Sequence, residues 1–150
     1  LLGHVARANP LAARLDGGRV TAVFHGPHGY VSPRWYRSPG QVPTWNYAVV
    51  HAKGTARHTD AKGLLRILAG LAAAHEDGDR PWRMREVEPT DLADMLEAIV
   101  GFEIAVDDLV GKLKLSQNRA PEDREGVRDA LRARDTEADR ALLAWMPDEP

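Results

Sequence analysis

The sequence predicts an α+β domain, a small antiparallel β-barrel with helices packed outside it. Two observations predict it. Short alternating segments rich in β-branched and aromatic residues fill the first half, while helical periodicity is confined to the middle and the tail. Long helices do not alternate with every strand, which excludes a doubly wound parallel sheet. The 150 residues suit one domain, so 1–150 is read as a single unit without repeat, low-complexity tract or linker.

The elements follow in order. Leu1, Gly3, Val5, Arg7 and Asn9 alternate with Leu2, His4, Ala6 and Ala8, so the chain opens on a strand already under way. Val20–His25 is a short strand, and Gly26-Pro27-His28-Gly29 reads as a turn. Tyr30-Val31-Ser32 is extended and Pro33 stops it. Thr44–Gly54 is the clearest strand: Trp45, Tyr47, Val49 and His51 share one face, and Asn46, Ala48, Val50 and Ala52 share the other. Asp60 caps a helix over 61–76, with Leu64, Leu65, Leu68, Leu71 and Ala72 as its apolar stripe. A second helix runs from Asp91 to about Val100, capped by Thr90 and presenting Leu92, Met95, Leu96 and Ile99. A strand pair covers 102–107 and 110–118, with its turn near Asp108. In the second strand Lys112, Lys114, Ser116 and Asn118 point one way, Leu113, Leu115 and Gln117 the other. Helices at 122–135 and 137–145 close the chain, and Pro147 breaks the last.

Composition excludes several function classes. With 20 Lys+Arg against 22 Asp+Glu, the net charge is −2, which argues against holding nucleic acid by bulk charge. Cysteine is absent, which removes thiol catalysis, Cys-ligated zinc and disulfide scaffolds and fits a reducing cytoplasm. No apolar run approaches the ~18 residues of a membrane span, and no signal peptide is visible. The six His residues form no HExxH pattern and have no carboxylate cluster beside them, so no metal site is assigned. There is no GxSxG elbow, Walker loop or GxGxxG.

Anion and ring binding have better candidates. Arg7 and Asn9 share a strand face. Lys112, Lys114, Ser116 and Asn118 make a cationic polar one, which suits either solvent or a phosphorylated ligand. Tyr30, Trp35, Tyr36, Trp45 and Tyr47 are concentrated enough to stack on a planar ring or to close a subunit interface. Arg124, Arg128 and Arg132 form a helix stripe diluted by Glu122, Asp123, Glu125 and Asp129, read as a solvated face.

The motifs together resemble one family. Gly3-His4-Val5-Ala6-Arg7-Ala8-Asn9-Pro10, the run from Phe24 to Tyr36, Val42-Pro43-Thr44-Trp45-Asn46-Tyr47 with Val50-His51, Ile99–Ile104, and Lys112–Arg119 are similar to ordered blocks of the PaiB family. These proteins are described as FMN-binding negative transcriptional regulators. The resemblance implies a split β-barrel of the flavin-reductase and pyridoxamine-phosphate-oxidase type. It implies a cytoplasmic homodimer with FMN near the subunit interface. Family members carry a further N-terminal helix and first strands, so residues 1–150 would be an FMN-binding split-barrel domain without them. The implied flavin site has Arg7 and Asn9 at the phosphate, Lys112 and Lys114 beside them, and His4, Trp45, Asn46, Ser116, Gln117 and Asn118 around the ring. The alternative is an FMN-dependent oxidoreductase acting on a small molecule, with His28, Tyr30 or His51 as proton donor. Direct DNA binding is the weakest of the three, because the chain lacks both basic bias and a recognition helix.

Overall fold

The computed structural model describes residues 1–146; Pro147 lies outside them. The elements are β1 (Leu2–Ala6), α1 (Ala12–Leu15), β2 (Arg19–Val31), a 3-10 turn at Pro33–Trp35, β3 (Thr44–His58) and α2 (Ala61–His75). A second 3-10 turn at Met84–Glu86, α3 (Pro89–Glu97), β4 (Ile99–Lys114), α4 (Pro121–Arg134) and α5 (Glu137–Leu143) complete them. The class is α+β, as expected. The strand order is β1-β4-β3-β2, with β1 and β2 at the edges.

Two of the expected turns are strand. Gly26-Pro27-His28-Gly29 continues β2 without a break. A proline donates no ladder hydrogen bond, and an edge strand is where that omission is tolerated. Asp107 and Asp108 do not turn the chain either. They sit within the single 16-residue β4, where Arg19 chelates Asp107 (Nη2 to Oδ1 3.0 Å) and Lys53 Nζ reaches Asp108 at 2.9 Å. Cross-strand charge pairing satisfies what looks like turn chemistry in isolation. β4 also stops at Lys114, so Ser116 and Asn118 do not extend its face; Ser116 has φ 62°, a left-handed turn conformation.

The chain divides into two compact units. The first holds Leu1–Thr21 and Ala52–Asp108. Here β1 pairs antiparallel with β4, Leu2 opposite Glu103 and Ala6 opposite Ile99. The N–H of Ala56 donates to Gly18 O and that of Gly17 to Ala56 O, each at 2.9 Å. Asp60 caps α2 as read from the sequence, accepting from Gly63 N at 2.7 Å. α2 turns Leu64 and Ile67 inward and packs against β1. α3 begins earlier than expected, with Pro89 in its first turn and Glu88 as N-cap, since a proline's missing N–H costs nothing there. Ile99 and Val100, expected in this helix, begin β4 instead.

The second unit holds Ala22–His51 and the chain from Leu109. Its core is Val31, Tyr36, Leu115, Val127, Leu131, Leu142 and Met146. Gly126 lets α4 approach the Pro33–Trp35 turn, because a Cβ there would fall 2.1 Å from Trp35 O. The buried Asp123 carboxylate fixes the following loop by accepting from Arg37 N (2.7 Å) and Ser38 N (2.8 Å). Those amide hydrogen bonds, Ser38's first, hold its pKa below the ordinary carboxylate value. The arginine stripe of α4 is not a solvated face. Arg124 is buried, Arg128 donates to Met146 O at 3.1 Å, and only Arg132 lies fully at the surface, paired with Glu125 and Asp129. Arg124 and Arg128 share the helix side that buries Val127 and Leu131, so their stems pack while the sequence shows only mixed charge.

Candidate functional site

The second unit carries a hollow of about 670 Å³ over one sheet face, within the ordinary range of ligand pockets. Strand periodicity builds it. Odd-numbered positions of β3 put Trp45, Tyr47, Val49 and His51 on this face, β2 adds His25 and His28, and β4 adds Lys112. On the opposite face Asn46, Ala48 and Ala52 are buried, while Val50 is exposed.

The rings are held in set positions. Trp45 Nε1 donates to His28 Nδ1 at 3.2 Å, and the two rings stack with centroids 5.9 Å apart. Tyr30 meets Trp45 edge-on at 6.4 Å, and meets Trp35 the same way at 6.4 Å. Lys112 Nζ stands 5.8 Å from the Tyr47 ring centroid. An indole N–H is only a donor, so the Trp45 bond requires an unprotonated Nδ1 and a neutral His28 that carries its proton on Nε2. Trp45 is 48% exposed, leaving a ring surface free to stack. Among the described residues no carboxylate lines the hollow, while three imidazoles and one ammonium do. Such a wall suits a planar aromatic ligand that bears negative charge.

The residues expected at a flavin divide between the units. Trp45 and Lys112 line this hollow. Lys114 lies one strand repeat further along β4, with Nζ donating to Thr44 Oγ1. Asn46 and Ser116 come together but on the inward face, where Asn46 Nδ2 donates to Ser116 Oγ at 2.9 Å. Gln117 is engaged locally: Oε1 accepts from Leu115 N and Nε2 donates to Leu113 O, both at 2.6 Å. Asn118 is exposed in the same turn. His4, Arg7 and Asn9 belong to the first unit. His4 is exposed on β1 and faces an apolar cavity. Arg7 donates through Nε to Glu97 O (2.6 Å) and through Nη2 to Ile99 O (3.0 Å), closing the end of α3. Asn9 Oδ1 accepts from Leu11 N at 2.9 Å and shapes the turn into α1.

Sequence reasoning missed His25, at the end of its expected strand, and underused His28, because it placed His28 in a turn where β2 continues. The signal that would have found them is the β3 alternation, which fixes the face that any neighbouring strand must complete. Among the described residues no group of three or more His, Asp or Glu side chains is placed to hold a metal ion.

The chain is similar to one family model, two curated proteins and one solved structure. Residues 1–108 match the family model described as "Putative FMN-binding domain". The chain is 34% identical over 151 residues to the Protease synthase and sporulation protein PAI 2 of Bacillus subtilis, covering 99% of this chain and 72% of that one. It is 31% identical over 176 residues to an uncharacterized protein of Emericella nidulans, covering 95% and 70% respectively. Among solved structures, the flavocytochrome Anf3 of Azotobacter vinelandii aligns with a TM-score of 0.42 at 17% identity, over 99% of this chain and 64% of that chain.

Proposed function

The chain belongs to the PaiB family of FMN-binding domains, and on that premise we propose that its flavin lies against the Trp45–Tyr47 face of the second unit. One observation carries the proposal: a hollow of ligand size walled by exposed aromatic rings, with a lysine and no carboxylate. FMN fits that donor set. Trp45 and Tyr47 would hold its ring by stacking, and Lys112 would hold its phosphate, with Lys114 further along the strand. Asn46 and Ser116 support the site from behind by fixing the strand that carries Trp45. Arg7 and Asn9, the expected phosphate ligands, are not needed in this arrangement.

When bound, FMN supplies electron and hydride chemistry that the side chains here do not possess. The chain's part is to exclude water with Trp45 and Tyr47 and to orient the ring. His28 presents its Nε2 proton at a fixed height, because Trp45 anchors Nδ1. That favours an FMN-dependent oxidoreductase as the second reading, with His28 rather than Tyr30 or His51 as proton donor.

A regulatory role rests on the family resemblance; the Bacillus subtilis relative's name speaks only of protease synthesis and sporulation. The charge pairing of Arg132 and the burial of Arg124 favour regulation without direct DNA contact. A homodimer is supported by the exposed Phe24, Leu113 and Trp145, an apolar face that a second copy would cover. Among the described residues no helix is long and apolar enough to cross a membrane.

Titration of purified protein with FMN tests the reading. Flavin fluorescence is expected to quench to saturation, and the quench to weaken in Trp45→Ala and Lys112→Ala while Trp82→Phe leaves it intact. An absorbance spectrum free of bound flavin at saturating FMN removes the cofactor from this chain.

A further inference from the structure

A second hollow belongs to no part of the flavin reading. It lies in the first unit, about 460 Å³ in volume, and α2, the stretch from Trp82 to Val87, and α3 enclose it. Leu68 and Ala72 of α2 form one wall, Leu96 of α3 the opposite one, and Met84 the side. The small Ala72 leaves the room, and Trp82 stands at the rim with its backbone N–H donating to Glu76 Oε2 at 3.0 Å.

The chemistry of the wall restricts what it takes. Among the described residues it holds no lysine or arginine, and its one carboxylate is Glu76, already engaged by that N–H. His4 and His75 offer one or two hydrogen bonds at the edge. Everything else is aliphatic, thioether or indole. Met95 is 60% exposed and Trp82 42%, so the wall presents apolar surface to its surroundings. Three elements converge around a concave space of small-molecule size, which differs from the flat face that a second copy would cover. Thioethers at Met84 and Met95 let such a wall adjust to its occupant.

We propose that this hollow is a binding site for a small, uncharged, apolar molecule, aromatic or branched aliphatic. It is distinct from the flavin site, since a phosphorylated ligand would meet no cation here. The proposal does not depend on whether FMN binds.

Uptake of N-phenyl-1-naphthylamine, a neutral naphthylamine whose emission rises in apolar surroundings, tests it. Saturable uptake of one probe per chain is expected, with emission sensitised by tryptophan excitation. Trp82→Phe is expected to remove most of that sensitisation. Ala72→Trp fills the space and should weaken uptake at least tenfold. Met95→Glu places a charge at an exposed part of the wall, leaves the fold undisturbed by circular dichroism, and should weaken uptake similarly. Uptake without saturation, or equal uptake by folded Met95→Glu, overturns the site. So does stoichiometric displacement by FMN. Loss of uptake as protein concentration rises also overturns it, and assigns the surface to a second copy.

Discussion

The two helix pairs of this protein solve the same problem in opposite ways. In the second unit, α4 and α5 bury Val127, Leu131 and Leu142 completely. They close their junction with a buried carboxylate: Asp139 accepts from Arg134 Nε (2.7 Å) and Thr136 Oγ1 (2.7 Å), and Thr136 and Asp139 form a reciprocal capping box. In the first unit, α3 buries no residue, and Leu71 of α2 is 39% exposed. One pair is filled and cross-braced; the other encloses space. Stability is therefore expected to concentrate in the packed pair, and adaptability in the hollow one.

The sharpest way to break the comparison is a matched truncation. Leu131→Ala in α4 is expected to cost about 3–4 kcal/mol by chemical denaturation, since the leucine is fully buried. Leu92→Ala in α3 is expected to cost under about 1 kcal/mol, because that helix is only half covered. Equal costs would erase the distinction.

Next in size is the brace. Asp139→Ala removes a cap and one partner of an ion pair whose arginine is partly solvated, for an expected loss of about 2–3 kcal/mol. The Arg134 hydrogen bond, with those of Thr136, holds the Asp139 carboxyl far below its ordinary range. Its folded pKa is depressed, so its contribution is present above the unfolded value and is lost as pH falls. Unfolding monitored between neutral pH and pH ~2 should show stability eroding below about pH 4. Asp139→Asn should flatten that acid limb.

Smaller still is the effect on cofactor affinity. Trp45→Ala should weaken FMN binding about tenfold, near 1.4 kcal/mol, as read by flavin fluorescence titration. Met95→Ala should be the mildest, changing the free energy of unfolding by less than about 0.5 kcal/mol in chemical denaturation, because the side chain is mostly in water.

What the sequence made legible was local. The alternation of Trp45, Tyr47, Val49 and His51 against Asn46, Ala48, Val50 and Ala52 became a two-faced strand in which Val50 alone of the second face is exposed, and Asp60 caps the helix it was assigned. What escaped depended on neighbours in space. The Gly26-Pro27 pair becomes strand only because β2 is an edge, and Asp107-Asp108 only because Arg19 and Lys53 arrive beside them. Arg124 goes inward because Val127 and Leu131 define the buried side of its helix. The site was half legible for the same reason: Trp45 and Lys112 follow from alternation within each strand, whereas the engagement of Ser116 by Asn46 follows from a turn that alternation does not foresee.

Ser116 draws a narrow corridor for change. Its backbone occupies a region where glycine is at ease, while its hydroxyl partners a buried amide. Glycine would relieve the first demand and orphan Asn46; threonine would keep the oxygen and crowd the backbone through its β-branch. A drifting lineage could leave this position only by altering Asn46 in the same step, so the two sites should vary together or not at all.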